Sequence, residues 1–135
     1  MAETLAKNLL DKNEAGYDVY SVGVSAFDGQ PASAHAITAM HEFGLDLNGH
    51  SSQMISGELI NGADYVLAVS GRHLDVVKSA CPTANAFTIS EFAEGVNFDI
   101  IDPFGGDINI YRNTAAELKR LVELCVERIL DLKVK

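Results

Sequence analysis

Apolar positions along this chain recur with changing spacing, and the changes mark out its elements. Ala2, Leu5, Ala6, Leu9 and Leu10 have the one-sided spacing of an amphipathic helix over Met1–Leu10. After the Gly16 break, Tyr17–Val24 (YDVYSVGV) reads as a strand, and Ser25–Ser33, with Gly29 and Pro31, as a loop. Ser33 can cap a helix through about Phe43, with Ala36, Ile37, Met40 and Phe43 inward and Gly44 ending it. Leu45–Ile55 is less regular, and Ser56 heads a short helix to about Gly62. Asp64–Ser70 (DYVLAVS) is the most apolar run and suits a strand buried on both faces of a parallel sheet. Ser70 or Gly71 starts a helix that Cys81-Pro82 stops; Ala86–Ile89 is a short strand, and Glu94–Gly106 is loop. The longest helix runs from about Asp107 to Leu132, with an inner stripe of Ala115, Leu118, Val122, Cys125, Ile129 and Leu132.

Strands alternating with helices predict an α/β domain with a parallel sheet, and ligands of such sheets gather outside the carboxyl ends of the strands. Three loops reach that edge: Ser25–Gln30, Ser70–His73 and Gly95–Gly106. The last holds Ile101-Asp102-Pro103-Phe104-Gly105-Gly106. Pro103 fixes its own φ and pushes Asp102 towards extended geometry, while the two glycines let the chain turn. A carboxylate held this way is aimed at a cleft. The plainer alternative is a helix-entry turn in which Asp102 only bonds nearby amides.

Composition narrows the classes. The 135 residues, 47% of them hydrophobic, suffice for one domain with a real core. A formal net charge of -9 argues against non-specific binding to nucleic acid or an anionic membrane. No run of 18 apolar residues and no signal-peptide plan appear, so a cytoplasmic protein is expected. Cys81 and Cys125 have no metal-knuckle spacing and read as small core residues; no two of the four histidines are four apart, so no metal site is expected. His41 and His73 are expected to be exposed. Without a Gly-X-Gly-X-X-Gly or Walker loop, a nucleotide cofactor has no support either, and none is expected.

Several stretches, in order, carry a family resemblance: Met1-Ala2-Glu3, Ser21 through Ala32 (SVGVSAFDGQPA), His35-Ala36, Gly49-His50-Ser51-Ser52, Ala63-Asp64, and Asp102-Pro103-Phe104-Gly105-Gly106 with Tyr111. Together they resemble the low-molecular-weight protein-tyrosine phosphatases, which include bacterial protein-arginine phosphatases. The resemblance implies a three-layer sandwich, a small parallel sheet flanked by helices. It implies that Asp102 is the general acid for the leaving group and then the base that activates water, and that Phe104 and Phe27 contact substrate. The glycine pair after Phe104 looks more like the arginine branch. Ser21 and His50 match residues that hydrogen-bond beneath the phosphate loop; read alone, His50 is a satisfied, partly buried histidine. Arg72 lies beside the cleft and is otherwise a solvated charge.

The family's nucleophile sits in a Cys-X5-Arg loop between its first strand and first helix, where amides and the arginine cradle the phosphoryl group. The sixth residue past Cys81 is Phe87, and past Cys125 is Asp131, so neither cysteine opens such a loop. The resemblance therefore implies a domain shortened at its N-terminus, lacking the central first strand and the loop, and inactive alone. If about five buried backbone groups lost partners at roughly 1–3 kcal/mol each, the cost would rival a whole domain's stability of about 5–15 kcal/mol. The expected remedies are closure of the two facing strand edges or a homodimer. With the loop restored, the implied substrate is a phosphorylated protein or a small phosphate. The rival readings are a non-catalytic phosphatase-like binding protein and an arsenate reductase.

Overall fold

Serine hydroxyls decide where the helices flanking the sheet begin. The computed structural model describes residues 1–12, 16–22, 33–47, 53–101, 103 and 105–134. Helix α1 spans Ala2–Lys12. Helix α2, Ala34–Glu42, starts where Ser33 Oγ accepts the Ala36 N–H at 3.2 Å, and the chain leaves it through Gly44 at φ +76°. Helix α3, Gly57–Asn61, is capped by Ser56 on the Leu59 N–H. Strand β1, Val66–Ala68, leads into α4, Gly71–Ala80, which Ser70 caps on the His73 N–H. Strand β2, Ala86–Thr88, is followed at once by α5, Ile89–Glu94, and then by α6, Ile108–Val134. In each capped case a side-chain oxygen takes an amide that has no partner inside the helix.

The two strands are parallel, with Val66 opposite Ala86, Leu67 opposite Phe87 and Ala68 opposite Thr88. Side chains alternate across the sheet. Leu67 and Phe87 pack on the larger core of α1, α2, α5 and α6, around Leu5, Met40, Phe92 and Leu121. Val66 and Ala86 pack with Ile60 of α3, Val77 of α4 and Cys81 on the other side. Helices thus cover both faces of a small parallel sheet, the expected α/β three-layer arrangement. Both cysteines are core residues, and burial pushes the Cys125 thiol up to about 12.

Several expectations change. Tyr17–Val22 has the burial alternation of a strand, with Tyr17 and Val19 half-buried and Asp18 and Tyr20 exposed, but it pairs with no strand among the described residues. Side-chain period alone does not make a strand without a ladder beside it. Residues 23 and 24 lie outside the described set. The closure of that stretch onto β1 is not seen among the described residues, where the sheet has two strands. Ile89 belongs to α5, not to β2, because the Thr88 hydroxyl accepts the Glu91 N–H and starts a helix there. Phe43 and Leu132 sit at the exposed rim and not inside, while His73, expected in solvent, is half-buried with its Nδ1 on the Ser70 hydroxyl. Among the described residues, no helix is long and apolar enough to cross a membrane, and no cluster of three or more His, Cys, Asp or Glu could hold a metal.

Candidate active site

Every residue from Asn97 to Ile101, the approach to Asp102, is bonded to a different part of the fold. The Thr88 hydroxyl donates to Asn97 Oδ1 at 3.1 Å. Ser90 Oγ donates to the Phe98 carbonyl at 2.8 Å and accepts the Phe98 N–H at 3.0 Å. Asp99 Oδ1 accepts the Gly71 N–H at 2.9 Å, at the start of α4. The Ile100 N–H donates to the Val69 carbonyl at 2.9 Å, at the carboxyl end of β1. Thr114 Oγ1, on α6, reaches the Ile101 carbonyl at 3.4 Å. An irregular segment cannot satisfy its own backbone, so buried hydroxyls take the place of a ladder. Thr88, Ser90 and Thr114 are all buried.

Ser90 is the clearest case. Its side chain alone serves both backbone groups of Phe98, at 1% exposure. Ser90→Ala is expected to cost about 1–3 kcal/mol by leaving those groups unsatisfied. Chemical denaturation should show a lower midpoint at an unchanged slope, and a shift equal to that of an exposed serine would contradict this role.

Beyond Asp102 the chain is held again. The Gly106 N–H donates to the Pro103 carbonyl at 2.8 Å across a turn whose third residue, Gly105, is at φ +79°. That φ favours glycine. A Cβ on Gly106 would stand 2.9 Å from Ile110 Cδ1 and 3.0 Å from the Pro103 carbonyl oxygen, so both glycines have separate physical reasons. Asp107 Oδ1 then accepts the Ile110 N–H and opens α6.

Of the expected site residues, Asp102, Phe104, Phe27 and His50 lie outside the described residues, as does the Ser25–Gln30 loop. Ser21 is described. It is half-buried, and its N–H donates to Glu3 Oε1 at 2.9 Å, joining it to the first turn of α1. Arg72 is exposed on the first turn of α4 and forms no ion pair among the described residues. The Ser70–His73 and Gly95–Gly106 loops do meet, through the Asp99–Gly71 bond, and Ile100 is bonded to Val69 just before the first of them. Sequence reasoning missed Thr88, Ser90, Asp99 and Thr114. For Thr88 a signal exists: Thr88-Ile89-Ser90-Glu91 has the spacing of a helix capping box, with Thr88 and Glu91 as its end residues. Two shallow hollows, lined by Ile37, His41 and Leu45 and by Glu3, Lys7 and Asp46, share none of these residues.

A family model described as low molecular weight phosphotyrosine protein phosphatase matches residues 1–133. The protein-arginine-phosphatase of Geobacillus stearothermophilus is 37% identical over 131 residues, covering 96% of this chain and 86% of that protein. That of Bacillus subtilis is 34% identical over 131 residues, covering 96% and 87%. A solved structure of the YwlE arginine phosphatase, a mutant with a phosphorylated active site serine, superposes with a TM-score of 0.90 at 34% identity, over 96% of this chain and 86% of that one. This chain belongs to the low-molecular-weight protein-tyrosine phosphatase family.

Proposed function

We propose that this domain supports cysteine-dependent phosphoryl transfer from a phosphorylated protein, with Asp102 as the general acid. The observation that carries the reading is that the described residues on either side of Asp102 are anchored, the Ile100 N–H on the Val69 carbonyl just after β1 and the Gly106 N–H on the Pro103 carbonyl, in a chain of this family. A general acid has to stay within hydrogen-bond reach of the leaving atom, which an anchored approach favours. Phe104 and Phe27 would then flank the substrate, and Ser21 and His50 would support the phosphate loop. The likeness to the two protein-arginine-phosphatases and the glycine pair favour phosphoarginine over phosphotyrosine as the side chain cleaved.

The 135 residues contain no Cys-X5-Arg, and both cysteines are buried, Cys125 with a thiol too basic to ionise at neutral pH. The domain would be completed by a segment that brings a strand and that loop. Turnover of a generic aryl phosphate should therefore be absent for these residues alone and appear when such a segment precedes Met1. Covalent phospho-enzyme formed on the 135 residues alone would overturn the reading. The buried thiols favour a second one for these residues by themselves, a non-catalytic module binding a phosphorylated partner. A phosphoarginine peptide should then bind measurably, with Asp102→Ala leaving binding largely intact. The same burial counts against arsenate reduction, which needs reactive thiols.

A further inference from the structure

We propose that Asp99 is a positioning residue for the general acid, an inference that rests on the reading of Asp102 just given. Two neighbouring residues, Asp99 and Ile100, grip two neighbouring points, Gly71 and Val69, through one side-chain and one backbone bond of 2.9 Å each. A single bond leaves a segment free to swivel about it, whereas two set its direction. Along the chain the grip ends two residues before Asp102, and the Pro103–Gly106 bond follows it.

The partners of the grip are themselves fixed. Val69 follows the last residue of β1, and Gly71 is the first residue of α4, whose cap Ser70 is buried and holds the His73 N–H. The carboxylate of Asp99 takes an amide that the helix leaves free, where the helix dipole also favours negative charge. Asp99 itself is exposed, so replacing it opens no cavity in the core. Its loss should be felt at the turn and not throughout the fold. Small displacements of a reacting group cost rate steeply, which gives an exposed clamp a kinetic consequence beyond its modest effect on stability.

The test has a structural and a kinetic arm. In the 135-residue chain, Asp99→Ala should speed amide exchange at Ile100 by about tenfold while exchange at Val66–Ala68 is unchanged. Asp99→Asn keeps an acceptor oxygen for Gly71 and should restore most of the protection. In the chain preceded by a Cys-X5-Arg segment, Asp99→Ala should lower kcat/KM about tenfold for a phosphoarginine peptide. For an aryl phosphate whose leaving group is acidic enough to depart without a proton, the change should stay within about twofold. Asp102→Asn is the control, with the same split and a larger loss. If Asp102→Asn shows the split and Asp99→Ala does not, or if Asp99→Ala slows both substrates equally, the positioning role is overturned and the acid stands. If Asp102→Asn shows no split, the acid reading itself is overturned. Unchanged exchange at Ile100 in Asp99→Ala refutes the clamp without reference to activity.

Discussion

Asp102→Asn, in the chain preceded by a Cys-X5-Arg segment, is expected to lower kcat/KM for a phosphoarginine peptide by about 10²–10⁴-fold, the range that general acid catalysis supplies. Asparagine matches aspartate in shape, so the Pro103–Gly106 turn and the anchors before it are retained. What it cannot do is give a proton to the departing nitrogen as the phosphorus–nitrogen bond breaks. Steady-state kinetics with the leaving group varied from poor to good measures the effect. A loss spread equally over all leaving groups would mean that the substitution had disturbed binding and not proton transfer. A loss below about twofold throughout would move the acid to another residue.

Elements with a local cause were legible in the sequence, and those with a distant one were not. Ser33, Ser56 and Ser70 announce α2, α3 and α4 because a capping hydroxyl acts within three residues of itself. The stripe from Ala115 to Ile129 announces α6, since its buried face repeats with the helix period. Leu132 continues the same period, yet it falls near the helix end where little remains to pack against it, and it is 43% exposed. Tyr17–Val22 shows the limit from the other side, because its in-and-out burial is that of a strand and its hydrogen bonds are not.

The candidate site divides the same way. Pro103 and the glycines mark a turn because their φ preferences are local. The bonds that hold its approach join Ser90 to Phe98, Thr88 to Asn97, Thr114 to Ile101 and Asp99 to Gly71, at separations of 8, 9, 13 and 28 residues. Single polar residues at such distances have no period to give them away. Only the folded chain shows that they converge.

Leu121→Ala is expected to destabilise the domain by about 2–5 kcal/mol, a large share of a typical total of about 5–15 kcal/mol. Leu121 is fully buried at the middle of α6, the helix on which α1, α2 and α5 all pack. Removing its side chain gives up the transfer of its carbons from water and leaves a hole in the larger core. Two of the helices around it, α2 and α5, cannot move inward easily to fill it, because both are also joined to α6 at other points. Arg112 on α6 binds the Glu42 carboxylate of α2, Arg120 binds Glu94 of α5, and Arg128 donates to the Phe92 carbonyl while lying over the Phe92 ring. These joints orient the helices more than they stabilise them. The two ion pairs are largely exposed, and such pairs contribute little in water, although each arginine holds its partner carboxylate below the usual range. Arg112→Ala should accordingly change the denaturation midpoint far less than Leu121→Ala does. If the two variants were equally destabilising, α6 would be held by its surface charges and not by its buried face. The division of the domain into two cores on either side of the sheet would then fail as the account of its stability.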